Sequence, residues 1–302
     1  MAQTAATTTG QFAGFIRPEQ AQGYFDEARR SSVVQQLTRQ IPLGAAGVEI
    51  PYTTSKPTAS WVAEAGQKPT TSGGKGLKTI SPKKIAAISV VSAEVVRANP
   101  GGYMDDLRQD IGEAFALAFD AAALYGTNSP FGAGNFINAT TKAVTLGTAT
   151  QDKGGIFADV NAGLSLLVND KKRLTGFAFD SIAEPLFNGA TDTNGRPLFI
   201  DSPLEDASPL VRGGTLLGRP ARIGDGVTNG TVLGFGGNWS KAVWGVVGGI
   251  TYDVSTQAAV TIDGELVSLF ENNLVAVRAE AEYGWLVDDA QSFVKYNEPA
   301  AA

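Results

Sequence analysis

VEIPYTTSKPTASWVAEAGQKPTTSGGKGLKTISPKKIAAISVVS, residues 48–92, is the stretch on which the fold turns. Two strand-like runs, VEIPYTT and IAAISVVSAEVV, bracket a long polar excursion containing TTSGGKG. An ordinary hairpin needs only a two-residue turn, so an excursion of this length extends the pair into a ribbon. Its glycine-rich tip is expected at Gly73-Gly74-Lys75-Gly76. An isolated two-stranded ribbon is marginal in water, and this one cannot bury both faces in its own domain, so it needs another surface. From Ala65 to Lys84 the charged residues are Lys68, Lys75, Lys78, Lys83 and Lys84, with no acid among them. In a chain of net charge −6 that is a local reversal of sign. Lysines on a loop often serve only solubility, but a basic arm of this kind also suits an acidic neighbour.

An acidic surface follows in the chain. YMDDLRQDIGEAFALAFDAAALY, residues 103–125, predicts a long amphipathic helix, with Leu107, Ile111, Phe115, Phe119 and Ala122 on one stripe. Asp105 and Asp106 suit the first turn, where the helix dipole favours negative charge, and Gly126 supplies the stop. At 1.5 Å per residue the helix spans about 34 Å. Its other face carries Asp106, Asp110, Glu113 and Asp120, an acidic row that is either solvated or the place where a sister chain's ribbon rests.

Outward from these two elements the signals are weaker. Residues 1–23 are Thr/Ala-rich and aperiodic, and read as an extended arm. Phe25, Val33, Leu37 and Ile41 recur at helical spacing, predicting a helix over 24–41 that Pro42 and Gly44 end. Residues 127–150 read as a Gly/Asn/Thr-rich connector. From 152 to 245 a helix near 156–169 is followed by short apolar strands such as TVLGFG, an α/β or α+β lobe. ITYDVS, 250–255, reads as a strand. Val275, Val277, Ala279, Ala281 and Tyr283 then alternate with Ala276, Arg278, Glu280 and Glu282, a half-buried strand, and FVKY ends the chain's strands.

Composition removes whole classes of chemistry. The chain has no Cys and no His, which excludes Ser-His-Asp and Cys-His catalysis, thiolate or imidazole metal sites and disulfides. No calcium-loop pattern is present, so no metal and no cofactor are expected. The acidic balance argues against a protein that grips nucleic acid, and fits a container wall that does not adsorb it. The first residues lack the basic and apolar regions of a signal peptide, and no window approaches the roughly 18 apolar residues of a membrane span. No Walker or dinucleotide glycine pattern stands between a strand and a helix. GVVGG at 245–249 reads as a turn, and Lys171-Lys172-Arg173 as solvated surface. Arg278, Glu280 and Glu282 share a strand face, where paired acids are more often solvated than catalytic.

The order of segments resembles the major capsid proteins of tailed bacteriophages, which have the Hong Kong-97 capsid fold. The resemblance is carried by the arm, VEIPYTT…ASWVAEAGQKP, ISPKKIAAISVVSAEVV, the long helix, ALYGTNSPFG, RPLF…TLLGRPARIGD and LFENNLVAVRAEAEYGW, in that order over nearly the whole chain. It implies an α+β fold with an N-terminal arm over 1–30, an entry helix of the peripheral domain over 31–47 and an extended E-loop over 48–92. A peripheral domain with a spine helix would follow over 93–150, an axial domain over 151–245 and return strands over 246–302. It also implies self-assembly into hexamers and pentamers of an icosahedral shell enclosing double-stranded DNA, with contacts between subunits at Lys68, Lys75, Lys78, Asp106, Asp110, Glu113 and Asp120. A separate scaffolding protein, a portal and a possible decoration protein would be the partners, and assembly would take place in the host cytoplasm. Some family members weld their shells through Lys–Asn isopeptide bonds assisted by a Glu. By local matching these positions are Lys68, Asn273 and Glu280.

Two other readings remain at this point. An encapsulin-type shell around a cargo enzyme would share the fold. A hydrolase built on paired carboxylates needs no His, but it would leave the basic ribbon unexplained.

Overall fold

The computed structural model describes residues 32–190, 197–201 and 211–299. The arm expected over 1–30, and Phe25 of the expected first helix, lie outside the described residues. In chain order the elements are α1 (Val33–Leu37), β1 (Arg39–Pro42), β2 (Val48–Ser55), β3 (Gly74–Ile80), β4 (Lys83–Ser92), α2 (Ala93–Ala98) and α3 (Tyr103–Tyr125). Then come β5 (Ala143–Thr145), α4 (Gly155–Asn169), β6 (Gly176–Phe179), α5 (Glu184–Asn188), β7 (Phe199–Asp201), β8 (Val211–Leu216), β9 (Arg219–Gly224) and β10 (Val232–Gly237). The chain ends with β11 (Ala242–Ser255), β12 (Ala259–Ile262), β13 (Glu265–Ser268), β14 (Leu274–Val287) and β15 (Phe293–Asn297).

Two sheets organise the molecule. One runs β1-β11-β14-β4, and the other β5-β15-β10-β6-β9-β8-β7. The period-two pattern read over 275–283 is the middle of β14, which pairs antiparallel with both β11 and β4. Its odd positions face α3, where Ile111 and Phe115 pack on Ala279 and Ala281. Further along, Phe119 meets the Trp285 ring edge-on at 5.8 Å between centroids. The second sheet packs α4 over Phe177, Phe179 and Tyr296, and draws strands from either side of the 151–245 span, at 143–145 and 293–297.

The helix expected over 24–41 is overturned within the described residues. Ser32 caps α1, its Oγ accepting from Gln35 N at 3.0 Å, but the helix stops at Leu37. Ile41 instead lies on β1, parallel to β11. A spacing of four suits a helix, yet residues 39–42 gain ladder partners at a sheet edge, and Pro42 is tolerated at an edge strand. GVVGG is likewise no turn: it lies inside β11, where the register against β14 shifts between Val247 and Thr251 and Gly248 has φ +70°. That is a bulge in a continuous strand.

The ribbon's pairing also differs from the expectation. VEIPYTT pairs with β3, and IAAISVVS pairs with β14. Gly74, Lys75 and Gly76 therefore lie within the returning strand, and the tip is the loop 56–73.

Candidate subunit-contact surface

The ribbon is rooted on the sheet face opposite α3. Gly245 and Gly284 stand opposite each other in the β11–β14 ladder. A Cβ on Gly284 would come within 2.7 Å of Leu43 Cδ2 and 2.9 Å of Ile80 Cγ1. The two bare glycines thus let the chain entering the ribbon and the chain leaving it lie close on the sheet. Gly47, at φ +84°, makes the turn into β2, and Ile80 is fully buried.

Beyond this root the ribbon follows period two. Residues 76, 78 and 80 of β3 are more sheltered than 75, 77 and 79, so Lys75 and Lys78 point to opposite faces. The Lys78 ammonium donates to the Asp288 carbonyl at 2.5 Å and to its Oδ1 at 2.9 Å, and stands 5.0 Å from the Tyr52 ring centroid. Lys78, expected to reach a neighbour, is thus paired within its own chain. Lys68 and Lys75 are exposed and make no ion pair with a described residue. The tip is exposed throughout apart from Gly66. Thr58 N donates to Thr71 Oγ1 at 2.8 Å across its mouth. Trp61 is fully solvent-exposed, and Leu77 is 64% exposed.

On α3 the acidic row divides. Asp106 and Asp110 are exposed and Glu113 is half-buried. Asp120 is fully buried, which removes it from any contact between subunits. Its carboxylate accepts from Ser32 Oγ at 2.6 Å and Val33 N at 2.8 Å, tying α1 to α3. Burial pushes its pKa up to about 7 against these hydrogen bonds, which act to lower it. Helical spacing alone put Asp120 with the exposed acids; α1, packed against the last turns of α3, covers it.

The three positions matched to a cross-link do not converge within one chain. Lys68 is on the tip. Asn273, at φ +51°, precedes β14, and its side-chain nitrogen donates to Glu94. Glu280 lies seven residues further along the extended strand, about 23 Å away at ~3.3 Å per residue. It pairs with Lys84 at 3.2 Å and Arg278 at 3.6 Å. Glu280 and Arg278 belong to a strip of the sheet face opposite α3. The β12–β13 hairpin covers one end of that face through Val90 and Ala276, and the ribbon root covers the other. Between them Ile88, Arg278 and Asp253 form one row, with Ile88 48% exposed and Arg278 bonded to Asp253 at 2.7 Å.

Sequence reading missed the buried carboxylates that staple loops. Asp159 accepts from Thr148 N, Thr148 Oγ1 and Ala149 N, and Asp180 from Ile182, Val227 and Thr228 N. Asp180 begins DSIAEP, a capping signature that was legible. Asp159 sits mid-helix and carried no local signal. Lys172, read as solvated, bridges Asp170 at 3.2 Å and Asp289 at 2.8 Å. Among the described residues no acidic group clusters as a metal site would, and no helix is long and apolar enough to cross a membrane.

The spine helix crossing a four-stranded sheet, the projecting ribbon and the second lobe together make the Hong Kong-97 type of capsid fold. A solved structure from Mycobacterium phage Bobi superposes with a TM-score of 0.75 at 19% identity, covering 98% of this chain and all of that one. The family model described as "Phage capsid family" matches residues 13–297, and the chain belongs to that family. The "Probable major capsid protein gp17" of Mycobacterium phage D29 is 44% identical over 97% of this chain and 93% of its own length. Its namesake in Mycobacterium phage L5 is 45% identical over 97% and 92%. The family is structural rather than enzymatic.

Proposed function

We propose that this chain is the major subunit of a phage shell, assembling as hexamers and pentamers into an icosahedral container for double-stranded DNA. The observation that carries the reading is the ribbon tip: residues 56–73 hold a fully exposed Trp61 on a loop that buries almost nothing of its own. An exposed tryptophan on a projecting arm is the composition of an interface anchor, since aromatic residues dominate such contacts. In the assembled shell the tip lies on a neighbouring copy, with Lys68 and Lys75 facing acids left accessible there, Asp106 and Asp110 among them. Many such modest contacts, repeated in closed symmetry, hold the shell. Scaffold, portal and decoration proteins would act on this assembly in the bacterial cytoplasm. The relatives named above favour a phage shell over a cargo-enclosing compartment.

The test removes the tip. Replacing residues 58–71 by a short turn should leave the chain folded by circular dichroism and abolish closed particles in electron micrographs. Normal particles from that variant would sink the reading.

A further inference from the structure

We propose that Lys78, Asp288 and Lys241 form a latch that fixes the angle of the ribbon against the body, and that Asp289 ties this angle to the seven-stranded lobe. The latch is a property of a single chain and stands apart from the shell assignment. The ribbon shares no sheet with the body, since β2 and β3 pair only with each other. It joins the body through Gly47 on the way in and Ser81-Pro82 on the way out. Between that root and the tip, no ribbon side chain other than Lys78 makes an ion pair with the body among the described residues.

Lys78 is held from several sides. Its ammonium grips the Asp288 carbonyl and Oδ1, while Oδ2 of the same carboxylate accepts from Lys241 at 2.7 Å. Tyr52, diagonally across on β2 and opposite Gly76, offers its ring face to the cation. Lys78 and Asp288 are each less than a third exposed, so salt screens the pair less than a surface pair. The cleft beneath the ribbon is lined by Tyr52, Lys56, Lys78, Ser240, Lys241 and Asp288. The charged and phenolic groups facing Asp288 in this cleft are thus Tyr52, Lys56, Lys78 and Lys241. Lys56, on the cleft's rim, makes no ion pair with a described residue.

The next residue faces the other way. Asp289 Oδ2 accepts from Lys172 at 2.8 Å and from Ser292 Oγ at 2.8 Å. Lys172 continues to Asp170, both in the loop that leaves α4, and Asp170 to Lys142, just before β5, at 2.9 Å. One dipeptide therefore holds the ribbon with its first carboxylate and the lobe with its second. Partial burial works to raise the Asp288 carboxyl, but Lys241 and Lys78 outweigh it and hold it below the usual carboxylate range. The folded pKa is depressed, so the latch is intact at neutral pH and opens only as pH falls through that lowered value.

The chain has no cysteine, so introduced ones can be spin-labelled uniquely. Thr70→Cys on the tip and Asn161→Cys on α4, in chains diluted among unlabelled ones, report the ribbon-to-lobe distance by dipolar spectroscopy. The latch predicts one narrow distribution at neutral pH. That distribution should broaden or shift in Asp288→Asn and in Lys78→Met, and stay unchanged in Lys75→Met, whose ammonium faces away. If Asp288→Asn does not fold, Lys78→Met carries the test, because it removes only the ribbon's half. An unchanged distribution in Lys78→Met overturns the latch. An unchanged one in Lys172→Met overturns the tie to the lobe.

Discussion

At its root the ribbon carries Ile80, fully buried beside Gly284, and Lys78, clamped on Asp288. At its tip, one strand length away, it carries Trp61 with its whole surface in solvent. The same pair of strands thus ends in two different environments. The root is packed as an interior is packed, where a single added methyl group meets neighbours below normal contact distance. The tip is a mostly polar loop that nevertheless carries a large apolar ring with no packing around it. A segment that satisfies only one of its ends within the chain is built to satisfy the other elsewhere, and the sign of its charge, opposite to that of the whole chain, narrows what it can meet.

This contrast can be broken from the root outward. Gly284→Val drives new methyl groups into Leu43 and Ile80, and should destabilise the isolated chain by about 1–3 kcal/mol in denaturant unfolding. Trp61→Ala should leave that stability within about 0.5 kcal/mol while impairing assembly, measured by particle yield. The opposite ranking would mean that the tip, not the root, is the part folded into the chain.

Asp120 gives a second, smaller contrast, between an acid that the chain has covered and the acids that it leaves on α3. Its folded pKa of about 7 lies above the ordinary 3.8. The folded chain therefore keeps a proton that the unfolded chain has lost, and stability falls as pH rises across that interval. Asp120→Asn should flatten this slope in unfolding measured at a series of pH values, whereas Asp110→Asn should not.

The smallest expected effect is at the cross-link positions. Because Glu280 is paired with Lys84 and Arg278, mature particles should run on denaturing gels as a single band near 31.4 kDa, unchanged by Lys68→Ala. A covalent ladder lost in Lys68→Ala would mean that those pairs are rearranged in the shell.

What could be read from the residues alone follows the range of the interactions involved. The spine helix was legible to its ends because its stripe, its first-turn acids and Gly126 are all local signals. The alternation in β14 was legible because one face is buried along most of its length. The ribbon was recognised, but its return strand was misplaced: GKGLKTI looks like a turn by composition and is a strand only because β2 lies beside it. Ile41 and Asp120 were misread for the same reason, each being decided by an element far away in the chain, β11 for one and α1 for the other. Lys75 and Lys78 were grouped by charge, and a strict count of two along the strand would have separated them.

The account rests on the ribbon tip having its partner in another copy of the chain. An electron cryomicroscopy reconstruction of assembled particles tests this most directly. It should show the loop 56–73 lying on a neighbouring subunit, with the Trp61 ring buried there. A tip folded onto its own chain, or standing in solvent with no neighbour beneath it, would contradict the account.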